Sequence, residues 1–227
     1  MKTLVSWSSG KDSAWMVHML RQRSDVQVGA LLTTINEPAQ RVAMHAVRVE
    51  LLKAQADALG LPLWIVPIPS PCPNEIYEQA MAGAVRRAVA EEFAQVAFGD
   101  LFLEDIRRYR EERLAGTGLT PLFPLFDSDP AYTPRLAREM VAAGLGARIT
   151  CIDPRQLDPS FAGREFDGAL LDELPASVDP CGEKGEFHSF AYKGPMFSAP
   201  IAIETGVTVE REGFVFTDLE LASWVAG

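Results

Sequence analysis

Short apolar runs alternate with stretches of helical period through the first half of the chain. Leu4-Val5-Ser6-Trp7, bounded by Ser8-Ser9-Gly10, reads as a buried strand entering a turn. Ala14–Leu20 then reads as a helix, with Trp15, Met19 and Leu20 at helical spacing. Val26–Ile35 is rich in β-formers and predicts a second strand. A stripe of Ala46, Val49, Leu52, Ala56 and Leu59 predicts a helix stopped by Gly60 and Pro62. Leu63–Ile68 is a third strand, Ile76, Ala80, Ala84 and Ala88 form a further helical stripe closed by Phe93, and Gln95–Phe98 is a fourth strand ending at Gly99-Asp100. Leu103–Leu114 is a charged helix broken by Gly116 and Gly118. Such alternation implies an α/β fold with a parallel sheet covered on both faces, and ligands bind such sheets beyond the carboxyl ends of their strands. Ser8 to Ser13, Thr33 to Glu37 and Gly99-Asp100 therefore draw attention first.

The second half changes character. Pro121, Pro124, Asp127, Asp129 and Pro130 form a turn-rich boundary, placing one domain at 1–127 and a smaller α+β domain at 128–227. A helix (Pro134–Ala143), a strand (Arg148–Ile152) and a looser Pro- and Gly-containing region follow. Ala202–Phe216 alternates like a hairpin around Glu210-Arg211-Glu212-Gly213.

Composition narrows the function classes. With 31 Asp plus Glu against 21 Lys plus Arg, the formal charge is −10, and no basic block exists, so nucleic acid is a poor default partner. No apolar run is long enough to span a membrane, and the N-terminal MKTLVSWSSGKDS turns polar too early for a signal peptide. Cys72, Cys151 and Cys181 are odd in number and lack a C-x-x-C arrangement, which argues against disulfides or zinc. A cytoplasmic enzyme is the expectation.

Ser8-Ser9-Gly10-Lys11-Asp12-Ser13 occupies the first strand–helix turn. Unpaired amides at a helix start, a glycine, the Lys11 cation and the Ser8 and Ser13 hydroxyls suit a phosphate, although Ser and Asp also suit an ordinary helix cap. The Walker A spacing is absent. SSGKDS resembles the SGGxDS pyrophosphate loop of the PP-loop ATPases, or adenine nucleotide alpha hydrolases, with Ser9 in place of the second glycine. Gly99-Asp100-Leu101, Glu104-Asp105, Tyr109-Arg110-Glu111 and Pro124-Leu125-Phe126 are similar to motifs of the diphthine–ammonia ligase family. So are Met44-His45, the Leu157–Arg164 segment, Cys181-Gly182-Glu183-Lys184-Gly185-Glu186-Phe187-His188-Ser189, and Pro195-Met196-Phe197.

The resemblance implies a HUP-like, Rossmann-like PP-loop nucleotide domain and an AMP-forming amide ligase, with ATP, ammonia and a carboxylate as substrates and Mg²⁺ as the ion. It implies that Ser8, Ser9, Gly10, Lys11, Asp12, Ser13, Thr33, His45, Gly99 and Asp100 hold the nucleotide, with main chain near Leu32 to Thr34 receiving adenine. Asp12 and Asp100 become candidate metal ligands; a first-turn acid and a helix cap are their plainer readings. Lys11, Glu183, Glu186 and His188 become candidate catalytic residues, Glu183 and Glu186 handling ammonia; on composition alone they form a solvated acidic turn. His45 is expected at a helix start. The charged helix Glu104–Arg113 is by default a solvated face with i,i+4 pairs, from which Arg107 or Arg110 could instead reach phosphate, and the resemblance gives Arg164 a claim to a substrate or phosphate contact. Two rivals stand beside this reading, a tRNA-modifying PP-loop enzyme and a non-catalytic nucleotide-binding module. A homo-oligomer is left open.

Overall fold

The computed structural model describes residues 1–42, 45–129 and 131–222. Met44 and Pro130, both singled out above, lie outside the described residues. The first half builds a largely parallel sheet. Its strand β1 (Lys2–Ser6) lies between β2 (Gln27–Asn36) and β5 (Gln95–Ala97), with β6 (Thr120–Leu122) beyond β5. Strand β4 (Leu63–Ile68) pairs with β2 in parallel, whereas the two-residue β3 (Arg41–Val42) pairs with its end antiparallel. The crossovers are α1 (Lys11–Arg21), α2 (Val49–Leu59), α3 (Asn74–Ala90) and α4 (Glu104–Leu114).

Both faces of this sheet are buried, which is why its strands read as apolar runs and not as alternations. Leu4, Ala30, Leu32, Trp64 and Val96 point into a cluster completed by Ala84 and Ala88 of α3 and Leu114 of α4. Their neighbours Val5, Leu31 and Ala97 point the other way, onto α1 and α2. On that side the layer continues into a second, antiparallel sheet of order β8 (Phe187–Lys193), β7 (Gly146–Ile152), β10 (Phe214–Leu221), β9 (Ile203–Arg211). Helices α5 (Tyr132–Ala142) and α6 (Gly168–Glu173), with a short 3-10 turn at Pro159–Phe161, complete the second half. Helix α1 has seven buried residues of eleven because it packs against both β2 and β8.

Several expectations are corrected. His45 does not start a helix: it sits in a turn and α2 begins at Val49, so Ala46 lies ahead of the helix. In α3 only Ala84 and Ala88 are buried, and Ile76 is exposed; Tyr77, Met81 and Val85, one residue round the helix, face inward. The hairpin closes on Glu212-Gly213, both with positive φ as a tight right-twisting hairpin turn needs, and its second strand runs on to Leu221. Pro121 lies within a strand, on the outermost strand β6 where a missing N–H is tolerated.

Candidate active site

The loop between β1 and α1 is held from three sides. Ser9 adopts φ +69°, a left-handed conformation that a side chain disfavours. Its carbonyl accepts from Ala191 N (3.0 Å) and from Gln55 Nε2 (2.9 Å). Gln55, fully buried on α2, also donates to Ala191 O at 2.6 Å and accepts from Trp7 Nε1 at 3.0 Å. One amide thus ties β1, the loop and β8 together. Sequence reading missed Gln55, although its spacing between Leu51, Leu52 and Leu59 on the buried stripe was a signal for an interior polar residue. Gly10 is the N-cap of α1 with no side-chain hydrogen bond, and a Cβ there would lie 2.8 Å from the His45 ring. The plain helix-cap reading therefore loses its main support. Ser8 and Ser13 hydroxyls meet at 3.1 Å across the loop.

Opposite the loop, residues 179–186 form a compact turn. Asp179 accepts from the amides of Cys181 (2.9 Å) and Glu183 (3.3 Å) and from the Thr133 hydroxyl (2.6 Å). Gly182 has φ +71°, and a Cβ there would lie 2.7 Å from the Phe187 carbonyl, so only glycine fits. Glu186 is 1% exposed and spends both oxygens on this turn, accepting from Asp179 N and Lys184 N at 2.9 Å each. It does not line the cleft, contrary to the expectation that it handles ammonia: it is buried, and each of its oxygens is bonded to a main-chain amide.

A cleft of about 380 Å³ lies between loop and turn. Lys11, Asp12, Ser13, Asp100, Glu183 and His188 are among its walls, together with Ser8, His45 and Gly99. Lys11 is buried; its Nζ contacts both Asp12 oxygens (2.9 and 2.8 Å) and donates to the Cys181 carbonyl. Burial disfavours the cation, but Asp12 outweighs it and holds the amine above its ordinary value. Glu183 accepts from Leu101 N at 2.8 Å. Burial, with the Asp12 and Asp100 carboxylates nearby, pushes it up to about 7. The His45 and His188 rings lie 4.7 Å apart between centroids, tilted by 42°. Burial is the main cause that lowers them to about 4 and about 3, so both imidazoles are neutral at pH 7. The Asp100 Oδ2 is a buried oxygen without a hydrogen bond, 3.6 Å from Arg110 Nε, and Asp100 does not cap α4, whose N-cap is Leu103.

A second, more apolar cavity of about 180 Å³ adjoins the cleft and is lined by Leu32, Thr33, Thr34, Tyr77, Met81 and Val85, among others. The Thr33 hydroxyl donates to Trp7 O at 2.8 Å, leaving the apolar walls to face the cavity. Of the loop residues Ser8 to Ser13, Ser9 and Gly10 line neither cavity.

Arg164 is placed elsewhere: it pairs with Glu173 (2.7 Å) and stacks on Phe161. The Cys181 thiol is buried, is pushed well above its ordinary range, and contacts Thr133 O at 3.6 Å, so it is an inert neutral thiol. Among the described residues no group of three or more His, Cys, Asp or Glu has metal-site geometry. A Mg²⁺ ion does not need one, since it keeps waters and binds through few carboxylates plus phosphate oxygens. The orphaned Asp100 oxygen fits that part, whereas Asp12 is occupied by Lys11. No helix among the described residues is long and apolar enough to cross a membrane.

A family model for the diphthamide synthase N-terminal domain matches residues 1–119, and one for the diphthamide synthase C-terminal domain matches residues 132–222. No individual curated protein matches the chain. A phosphate-type loop facing a carboxylate-bearing turn, joined to the two matches in their proper order, places this chain in the diphthamide synthase family of PP-loop, ATP-utilising enzymes of the diphthine–ammonia ligase type.

Proposed function

We propose that the protein is an AMP-forming amide ligase that activates a carboxylate with ATP and transfers the acyl group to ammonia. The observation that carries this reading is the cleft between the Ser8–Ser13 loop with Lys11 and the turn bearing Glu183, which adjoins a more apolar cavity. The base would occupy the cavity walled by Leu32, Thr34 and Tyr77, and the β- and γ-phosphates would lie on the loop amides and Lys11. A carboxylate oxygen then attacks the α-phosphorus, the bond to the bridging oxygen breaks, and its electron pair leaves with pyrophosphate. Lys11 is suited to stabilise that leaving charge because its two present partners, Asp12 and the Cys181 carbonyl, already hold it charged and in place. Mg²⁺, when bound, would screen phosphate charge, with Asp100 as its holder, since both Asp12 oxygens are taken by Lys11. In the second half-reaction ammonia attacks the acyl carbon and AMP departs with the electron pair of the broken bond. Glu183, half ionised near pH 7, is the group suited to accept the proton that the attacking nitrogen loses. His188 and its neighbour His45, both neutral, leave room for polyphosphate without adding charge to repel ammonium. Glu186 acts through the turn it holds and is a positioning residue.

The test is product identity. Purified protein incubated with ATP, Mg²⁺, ammonium and a panel of carboxylates is expected to release AMP and pyrophosphate in step with amide. Release of ADP and phosphate overturns the adenylation step.

A further inference from the structure

The cleft and the apolar cavity meet at a seam formed by Ser6, Ser8, Phe98 and Arg110, the residues that line both. If a nucleoside fills the cavity while its terminal phosphates lie on the loop, the linking α-phosphate has to cross this seam. Arg110 is the seam's one charged residue. Its guanidinium is laid on the Phe98 ring at 5.0 Å. The other arginines of α4 with partners here are spoken for: Arg107 bonds Glu111 at 3.0 Å and Arg113 bonds Glu78 at 2.6 Å. Arg110 differs. Its Nε forms a long ion pair with Asp100 Oδ2 at 3.6 Å, beyond hydrogen-bond distance, so that both of these buried atoms lack a hydrogen-bond partner. A buried, unsatisfied donor on the wall of a cleft is a feature that a bound acceptor resolves.

We propose that Arg110 binds the α-phosphate and is a catalytic residue of adenylation, an assignment that rests on the nucleotide reading above. As the carboxylate oxygen bonds to phosphorus and the bridging bond breaks, charge gathers on the two non-bridging α-oxygens. A planar guanidinium meets such a pair through two parallel N–H donors, which an ammonium cannot do. Its place over the Phe98 ring and beside Asp100 holds the guanidinium at the seam before the substrate arrives, so little reorganisation is needed as charge develops.

The assignment predicts selective loss of one phosphate contact. Affinities for adenosine and for AMP are measured by calorimetry on the full chain, wild type beside Arg110→Gln and Arg110→Lys. Arg110→Gln is expected to weaken AMP at least tenfold while leaving adenosine within about twofold, and Arg110→Lys to fall between. Turnover to AMP and pyrophosphate should drop roughly 10²–10³-fold in Arg110→Gln, the scale of losing one charge-stabilising donor. Adenosine binding at wild-type strength also certifies the fold of the variant. AMP bound by Arg110→Gln as tightly as by wild type overturns the assignment alone. Equal weakening of adenosine and AMP in both variants also overturns it, since Arg110 would then merely shape the cavity. A wild-type protein that binds neither compound overturns the nucleotide reading, and the assignment with it.

Discussion

Glu183 carries the strongest single-residue consequence. Its carboxyl is held near pH 7 because burial and two neighbouring carboxylates penalise its charge. A proton acceptor must be ionised, so the amide-forming rate should rise with pH through an apparent value near 7, and Glu183→Gln should abolish that limb. Stability runs the opposite way. A group whose folded value lies above the unfolded one binds more protons when folded, so ionising it opposes folding as pH climbs from about 4.5 to 7. Glu183→Gln keeps an oxygen for the Leu101 amide yet has no charge to bury. It should therefore be more stable than wild type at pH 8 by roughly 1–3 kcal/mol, with the gain gone by about pH 4. Urea titrations of both proteins at the two pH values decide this; an equal or lower midpoint for the variant at pH 8 removes the claim that Glu183 is poised. Glu186, three residues on, looks equivalent in sequence but differs entirely, because its two oxygens are bonded to main-chain amides of the turn.

Between elements, the clearest joint outside the cleft is on β10. Asp218 receives Arg41 Nη1 (2.7 Å) from β3 and Arg48 Nη2 (2.5 Å) from just before α2, so one carboxylate fastens the second sheet to the first half. Burial works against its charge, yet the two guanidiniums hold it well below the ordinary carboxylate range. Asp218→Asn should cost about 1–2 kcal/mol at pH 7, because partly buried Arg41 loses its counter-charge while Arg48 keeps Glu220 at 2.6 Å. A depressed carboxyl contributes above its unfolded value and loses that contribution as pH falls towards the folded one, so the difference between variant and wild type should shrink below about pH 4. Equal denaturation midpoints at pH 7 would sink this. The same joint marks where sequence reading stops. The longer elements β1, β2, β4 and α1 to α4 were legible because each is an apolar run or a helix-length stretch bounded by turn residues. Strand β3, with two residues, and β6, with three including Pro121, were not: pairing with a neighbour defines them, and neither stands out as an apolar run before a turn in the way that three-residue β5 does ahead of Gly99. The site divides similarly. Loop chemistry was readable from SSGKDS at a strand–helix turn, whereas Gln55, Asp179 and the Arg110 seam depend on contacts between residues dozens of positions apart.

Across the whole molecule, the acidic excess and the anion site prove compatible because the anion site is local. Amides of one loop, Lys11 and Arg110 face the cleft, while Asp12, Asp100 and Glu183 stand beside them, so the net charge of −10 does not decide what binds there. The two halves are joined as closely as the site is. One apolar cluster runs from Val5, Trp7 and Val17 through Leu52 to Phe166, Phe190 and Ile201, crossing from the first sheet's strands to the second. We propose that the division at 127/128 separates roles in the reaction and not folding units. A fragment of residues 1–127 would strip α1 of its β8 neighbour and the buried Gln55 of its bond to Ala191 O, leaving apolar surface bare and one amide hydrogen bond unmade. Calorimetry of the full chain should therefore give a single transition, with calorimetric and van't Hoff enthalpies in agreement, and the isolated fragment should give none. Two resolved transitions in the full chain, or a cooperative transition in the fragment, would show that the halves fold independently and that the shared core does not couple them.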